Sequence, residues 1–449
     1  MRRGSAAWAI VASVAGCVPP PFQCGEDAAC DLMPGGRCEA GRCSYEATST
    51  TTGGTTAPTG GEVTGGAASC EAWERALAIR GKATGVALAD DGGAYVVGFT
   101  SEVPLELRAL RLDDAGEVGW SHAVDGTESP SVDDDTDLWA RLFVHQADEL
   151  VVVYSRRDPD DVTITVKTGP HVRRLAAEDG AVIGEADELA LQTQSLRGVS
   201  MPDAKTMLLA GERQDDVWYQ SAALLGGVWS PAWPAVPEPF APDADFDSPA
   251  IAQAIALSSV GDEVAVGGTW NLPDGDAYTA WVRRVALADG AVACACEVEA
   301  AGIVALLPAE DGGLFVAGYR QDRSMRSAAW IARLEPTCAP ACPIAWEQSI
   351  PGAEADTYFG RAELVRDAVF ALMPAPGGVI AAGTVDREPW AARYADDGAE
   401  QWVMERGTSS GAALAIAAST DAACLTLVGS EKYGNYAERR WWARRVAMQ

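Results

Sequence analysis

The stretch GGVIAAGTVDREPWAARYADDGAEQW at residues 377–402 decides the fold. GVIAAGT is an apolar run closing on Gly383 and Thr384, and PWAARYA follows a polar turn and carries Trp390 and Arg393. Asp396-Asp397-Gly398 is then a turn signal before AEQW opens a third run. Three strands this short cannot bury both faces of a small sheet, so copies of the unit must stack on one another.

Copies do recur outward from this stretch. The first, GVALADDGGAYVVGFT with LRALRLDDAGEVGW, matches Gly98 to Gly383 and Trp120 to Trp402. The second, LFVHQADELVVVYS with HVRRLAAEDGAVIG, has neither the glycine nor the tryptophan. The third, TMLLAGE with YQSAALLGGVW, offers Gly211 and Trp229. The fourth, DEVAVGGTW with AWVRRVALADGAVACAC, has Gly267, Trp281 and Arg284, with Cys294 at the place of the closing tryptophan. The fifth, GGLFVAGYR with AWIARLEPTCAPACPIAW, has Gly318, Trp330, Arg333 and Trp346; the seventh, CLTLVGS with WWARRVAMQ, has Gly429, Trp442 and Arg445. A short run of small apolar residues precedes each copy, such as VALA at 86–89, VALL at 304–307 and ALAI at 413–416. That makes four strands per unit, and no segment shows a long helical stripe. The expectation is an all-β, seven-bladed β-propeller of four-stranded blades over residues 70–449.

The seventh copy stops before its fourth strand. EAWERALAIRG at 71–81 matches GWSHAVDG, AWEQSIPG and QWVMERG, with Trp73 in the tryptophan position. Residues 71–80 are therefore expected to complete the last blade and close the ring, leaving no exposed strand edge. This closure would put Cys70 and Cys424 in two turns on one rim, and it predicts a disulfide between them. Cys338 and Cys342 bracket the turn APA and are expected to pair locally; Cys294 and Cys296 are left open.

The rest of the chain gives an address. MRRGSAAWAIVASVAGC, residues 1–17, joins two arginines to an apolar core and small residues before a cysteine, which is an export signal too short for a permanent span. Residues 18–43 hold Cys24, Cys30, Cys38 and Cys43 among turn residues, a segment ordered by two disulfides whose pairing stays open. Residues 44–69 are Thr, Gly and Ser, a flexible linker averaging roughly 30 Å end to end. With 34 basic against 64 acidic residues, the net charge of −30 excludes nucleic acid as a partner.

Chemistry is sparsely signalled. His122, His145 and His171 fall in different predicted strands, and no nucleophile elbow, metalloprotease helix or phosphate loop is present. No catalytic residue and no cofactor is assigned. Asp243, Asp245 and Asp247 form a candidate Ca2+ loop, but an EF-hand would need Gly and Glu where Ser248 and Ala254 stand, so a solvated acidic rim is preferred. The repeated Trp-x-x-Arg is read as packing, with Trp between blades and Arg on a carboxylate of the adjacent turn such as Asp396 or Asp397.

Two resemblances follow from these residues. Val14-Ala15-Gly16-Cys17 resembles a bacterial lipobox, which implies lipidation of Cys17, and Val18 in place of aspartate implies the outer membrane. The units GGVIAAGT…WAARYADDGAEQW and GGLFVAGYR…WIARLE resemble the delta-60 and related bacterial β-propeller repeats, which implies an extracytoplasmic propeller and no single activity. The closing Asp, Gly and Trp are also similar to the docking motif of quinoprotein dehydrogenases, whose adjacent Cys-Cys pair this chain lacks. The expected function is a lipid-anchored surface or periplasmic binding or scaffold protein with a protein or polysaccharide partner. The alternative is a secreted propeller enzyme, hydrolase or dehydrogenase, with its site at the central channel.

Overall fold

A computed structural model of the chain describes residues 36–39, 42–45 and 70–448, the last with breaks at 102–104, 128–139, 147, 158–166, 189–194, 204, 214–215, 226–227, 234–249, 258–261, 272–277, 300, 322–326, 338, 340, 352–366, 387, 405–410, 420–422 and 434–437. Contacts divide the chain into two units, residues 1–67 and 68–449. In the first, β1 (Gly36–Glu39) and β2 (Arg42–Tyr45) form a hairpin that sets Cys38 directly across from Cys43. The lipobox with Cys17, and Cys24 and Cys30, lie outside the described residues.

The second unit is a β-propeller. Five four-stranded meanders stand as separate blades. Blade I holds β7 (Ala140–Gln146), β8 (Glu149–Arg157), β9 (Lys167–Ala176) and β10 (Val182–Glu188). Blade II holds β11 (Ser195–Asp203), β12 (Thr206–Arg213), β13 (Asp216–Leu225) and β14 (Val228–Pro231). Blade III holds β15 (Ala250–Leu257), β16 (Glu263–Asn271), β17 (Tyr278–Ala286) and β18 (Val292–Glu299). Blade IV holds β19 (Ala301–Pro308), β20 (Leu314–Gln321), β21 (Ser327–Leu334) and β22 (Ile344–Pro351). Blade V holds β23 (Ala368–Ala375), β24 (Gly378–Val385), β25 (Glu388–Ala395) and β26 (Glu400–Val403).

The expected count of seven four-stranded blades is thereby corrected to five. The other strands, β3 (Trp73–Leu88), β4 (Ala94–Thr100), β5 (Leu105–Leu112), β6 (Val118–Thr127), β27 (Gly411–Ala418), β28 (Cys424–Tyr433) and β29 (Glu438–Ala447), form one seven-stranded sheet in the order β27-β28-β29-β3-β4-β5-β6. The physical reason is β3, which runs 16 residues without a break and serves both halves. Its first half pairs with β29, Trp73 opposite Arg445 and Arg80 opposite Arg440, and its second half pairs with β4, Gly81 opposite Thr100 and Leu88 opposite Ala94. The change of partner falls at Gly81, whose φ of 133° no side chain favours and where a Cβ would lie 1.9 Å from the Phe99 carbonyl oxygen. Pairing of β3 with β29 holds the ring shut.

The recurring glycine has a packing cause. In β3, β11, β15, β19, β23 and β27, the first strand of each meander, the register skips one residue and leaves a β-bulge. Opposite each bulge the second strand carries a glycine: Gly98, Gly211, Gly268, Gly318, Gly383 and Gly429. A Cβ on Gly383 would lie 1.9 Å from the Ala368 carbonyl oxygen, so the bulged strand fits only against a bare backbone. In blade III it is Gly268 that takes this place, one residue past the Gly267 suggested by the sequence match. Blade I has Tyr154 there, opposite Ala140, and its first strand passes that point in regular register.

The recurring tryptophan joins one meander to the next. Trp346 closes blade IV and donates its indole N–H to the Asp396 carbonyl of blade V at 2.7 Å. A Cβ on Gly398 of that turn would lie 2.7 Å from the Trp346 ring, so the Asp-Gly turn is shaped to receive it. Trp73 donates likewise to Asp114 O (2.9 Å) and Trp120 to Ala177 O (3.3 Å). In blade II the residue that does this is Trp233, bonded to Leu287 O at 2.7 Å, and not the expected Trp229, which is buried within a different cluster. The turn aspartates earn their recurrence by capping: Asp397 Oδ1 accepts from Ala399 N at 3.0 Å, as Asp113, Asp179 and Asp289 do from Ala115, Ala181 and Ala291.

Blade III lacks the tryptophan, and a disulfide stands in for it. Cys296 of β18 is bonded to Cys342, in the turn between β21 and β22 of blade IV, with Cα atoms 4.9 Å apart. Beside it Glu297 bridges Ala341 in parallel, and Cys342 N donates to Glu297 O at 3.2 Å. This corrects the expected local pairing of Cys338 with Cys342. Cys294 is also disulfide-bonded, and Cys338 lies outside the described residues. Cys70 and Cys424 are joined across the closure, with Cα atoms 5.5 Å apart and 354 residues between them in sequence.

The Trp-x-x-Arg strands pack as inter-blade filler, with Trp281, Trp330 and Trp442 at most 1% exposed. Their arginines differ from expectation. Arg333 pairs with the Asp311 carboxylate of its own blade at 2.6 Å and reaches only the backbone oxygen of Asp396 (3.4 Å), while Arg393 donates to Pro376 O at 2.8 Å. Asp397 spends its carboxylate on the turn.

Candidate functional site: the axial channel

The first strands of the meanders follow one another around the ring axis and enclose a cavity of about 560 Å³. Residues of β3, β7, β11, β19, β23 and β27 line it, among them Val86, Leu142, Val199, Leu306, Phe370 and Ile416. Among the described lining residues the charged ones are Arg141, Arg197 and Asp203, and the exposed wall is polar and apolar in about equal measure.

Register explains why there is room. The residues just past the bulge are Gly85, Gly198, Ala254, Ala305, Ala371 and Ala415, each opposite the residue that precedes the second-strand glycine. Of these, Gly198, Ala305, Ala371 and Ala415 line the cavity. The equivalent position of blade I, opposite Val153, holds Arg141. It is thus the one long side chain in a ring of glycines and alanines, on the one first strand that lacks the bulge. Arg197 is the skipped residue of the bulge in β11.

Arg141 is fixed from the neighbouring strand. Its guanidinium donates to Thr84 O, and the Thr84 hydroxyl donates to Ala140 O at 2.9 Å. A Cβ on Gly85 would lie 3.2 Å from Arg141 Cα, so the two backbones touch at this level. Burial draws the Arg141 pKa down to about 10, which leaves the group cationic at neutral pH. Asp203 ends β11, six residues beyond Arg197 and so about 20 Å along the strand, where its Oδ1 accepts from Lys205 N at 2.7 Å. The two arginines therefore mark one end of the channel and Asp203 the other.

The residues singled out from sequence do not meet here. His122 is exposed on β6, its ring centroid 6.0 Å from that of Trp120, while His171 is buried on β9 and stacked on Tyr154 at 5.4 Å. The side chain of His145 and the loop of Asp243, Asp245 and Asp247 lie outside the described residues. Among the described residues no group of three or more His, Cys, Asp or Glu is placed to hold a metal ion. Arg141 and Arg197 were missed in the sequence, although a column-by-column alignment of the first strands would have set Arg141 beside Ala305, Ala371 and Ala415.

No protein-family model matches the chain, and neither does any curated protein sequence. Among solved structures it is similar to the polysaccharide lyase Uly1, at 11% identity and a TM-score of 0.49 over 82% of this chain and 90% of that one. It is also similar to the WD40 β-propeller domain of Doa1, at 9% identity and 0.46 over 83% and 95%, and to the Dos1 propeller, at 8% and 0.44 over 80% and 77%. Likeness at this level assigns neither family nor activity. The propeller is established by the strand order of the chain itself.

Proposed function

We propose that this chain is an exported binding protein, held to the outer membrane or cell surface through a lipid on Cys17 and raised from it by the 44–69 linker, with delta-60-like repeats as its scaffold. The observation that supports binding is the axial cavity: about 560 Å³, lined among the described residues by Gly198, Ala305, Ala371 and Ala415 together with larger apolar side chains and three charged ones. Among the described lining residues Asp203 is the sole carboxylate, and the acid-base pair that hydrolysis of a glycosidic bond needs is not supplied by one group. A protein or a polysaccharide of the envelope is the partner class.

The test uses the full chain and its Cys17→Ala variant, expressed in a bacterium that processes lipoproteins. The full chain is expected in the membrane fraction carrying labelled palmitate, and the variant in the soluble fraction; equal partition overturns the anchor. Incubation of the purified protein with envelope protein and polysaccharide fractions is expected to give a saturable complex without turnover. Accumulating cleavage products would replace the binding reading by the enzyme one.

A further inference from the structure

We infer that the axial channel binds an uncharged saccharide of one or two rings, held by main-chain N–H and C=O groups along the inner edges of the first strands. This deepens the binding reading and rests on it, naming the channel as the place where a sugar unit is taken.

The way the strands meet the cavity makes the first argument. Successive side chains of a strand point to opposite faces, so a strand that covers a cavity with one face shows it every second residue. Here residues 141–144 of β7, 304–306 of β19 and 370–372 of β23 line the cavity without a gap. These strands therefore turn their edges to the axis. Sheet order agrees: β7, β11, β19, β23 and β27 each stand last in their sheets, paired with the second strand on one side and with no strand of the same sheet on the other. Every second residue of such an edge directs its N–H and C=O away from the sheet. That accounts for a wall polar and apolar in about equal measure, although Arg141, Arg197 and Asp203 are the only polar side chains among the described lining residues.

The chemistry of this wall selects the ligand. A hydrocarbon would take water from strand-edge donors and acceptors and give no partner back, at a cost for each group. An ion is not called for, because Arg141 and Arg197 are both engaged within the chain. A saccharide answers both halves of the wall: its hydroxyls donate and accept toward the strand edges, and its C–H faces lie against side chains such as Leu306 and Phe370. An extended peptide pairs with an open edge as an added strand. The eight residues of β19 alone run about 26 Å, however, and a cavity of about 560 Å³ is sized for a small molecule instead.

The experiment titrates the purified full chain with maltose, cellobiose and N,N′-diacetylchitobiose by calorimetry and by hydrogen exchange, with cyclohexanol and trialanine as controls. At least one disaccharide is expected to saturate a single site per chain and to slow amide exchange in peptides that cover 304–306 and 370–372, with the outer strands unchanged; neither control is expected to do so. Ala371→Trp and Ala305→Trp fill the channel from two different blades, and each is expected to weaken that disaccharide about tenfold or more. One folded variant suffices, and if neither folds the exchange map of the wild type decides. No saturation by any of the three, or saturation that a folded filled variant keeps, overturns the channel site. Tighter binding of trialanine overturns the saccharide class in favour of a peptide, and saturation by cyclohexanol alone overturns the strand-edge argument. In each of these cases a saturable complex with the envelope fractions leaves the general binding reading standing. A disaccharide bound in the channel without any such complex would instead overturn the macromolecular partner and leave this site in place.

Discussion

Blade V and blade I are built on the same meander and solve its crowding in opposite ways. Blade V has every recurring residue: Gly383 under the bulge, Trp390 between blades, and Gly398 beneath the tryptophan of blade IV. Blade I puts Tyr154 where the glycine belongs, fully buried and stacked on His171, keeps its first strand in regular register at that point, and has Ile183 opposite Arg174 where blade IV has Trp346 opposite Arg333. The difference teaches that the glycine and the bulge are one device. Where the glycine goes, the bulge goes, and a bulky side chain then becomes an asset. The blade freed from the pattern is also the one that sends Arg141 into the channel.

The sharpest way to break the comparison is to move each solution into the other. Gly383→Val sets a branched side chain against the Ala368 carbonyl, whose oxygen a Cβ would approach to 1.9 Å, and no rotamer relieves a backbone clash. A loss of about 4 kcal/mol or more in chemical denaturation is expected, in the range kept for forced backbone movement. A loss below about 1 kcal/mol would show that β23 shifts freely and that the glycine is not tied to the bulge. Tyr154→Ala, at the matching place in blade I, removes a buried ring and is expected to cost about 3 kcal/mol by the cavity it leaves beside His171. Tyr154→Gly that gained stability over Tyr154→Ala would mean that blade I can take up the bulge after all.

Much of this was legible before any coordinates. The four-stranded meander and the pairing of residues 71–80 with the C-terminal strand follow from a repeat whose units end in Trp, because an unfinished last copy and an orphan first strand imply each other. The sheet count was not legible, since it turns on whether 71–80 and 81–88 are one strand or two, and that is decided by the φ of Gly81. The role of Trp233 was hidden because β14 ends at Pro231 and the tryptophan that reaches the next blade stands two residues beyond it, four residues from the expected Trp229. The partner of Cys342 was hidden for a different reason. It is chosen by the approach of blade III to blade IV at the Glu297–Ala341 bridge, a contact between blades that local spacing does not encode.

The joints between blades extend the comparison. Blade IV meets the Asp396–Gly398 turn of blade V through hydrogen bonds from Trp346, Arg333 and Gln348, whereas blade III meets blade IV through Cys296–Cys342. Replacing both cysteines by serine opens a loop of 46 residues and is expected to cost about 2 kcal/mol, at the lower end for a disulfide because flanking strand pairing already restrains that loop. Thermal melting under oxidising conditions reads it directly. If wild type in reductant melts with the double variant, the whole effect belongs to the crosslinks; if the variant melts with oxidised wild type, the parallel bridge and its hydrogen bond hold the joint unaided.

The smallest expected effect separates the two arginines of the repeated strand. Arg333 in blade IV faces a charge, Asp311, whereas Arg393 in blade V faces only the carbonyl of Pro376. The Gly313 amide, and after it Arg333, hold the Asp311 carboxyl below its ordinary pKa. A carboxylate whose pKa is depressed on folding adds stability above its unfolded pKa and loses it as pH falls through the folded value. Asp311→Asn should therefore be less stable than wild type at neutral pH and equal to it once the medium is acid enough to protonate Asp311. The side chain is 53% exposed, so solvent screening keeps the gap under about 0.5 kcal/mol. Arg393→Gln, by contrast, loses a bond to an uncharged oxygen, and its gap from wild type should stay constant over the same pH range. Parallel melting curves of the two variants at neutral and acid pH decide the point: a gap for Asp311→Asn that does not close on acidification would assign the stabilisation to the turn geometry alone, and leave the ion pair with Arg333 without a part in it.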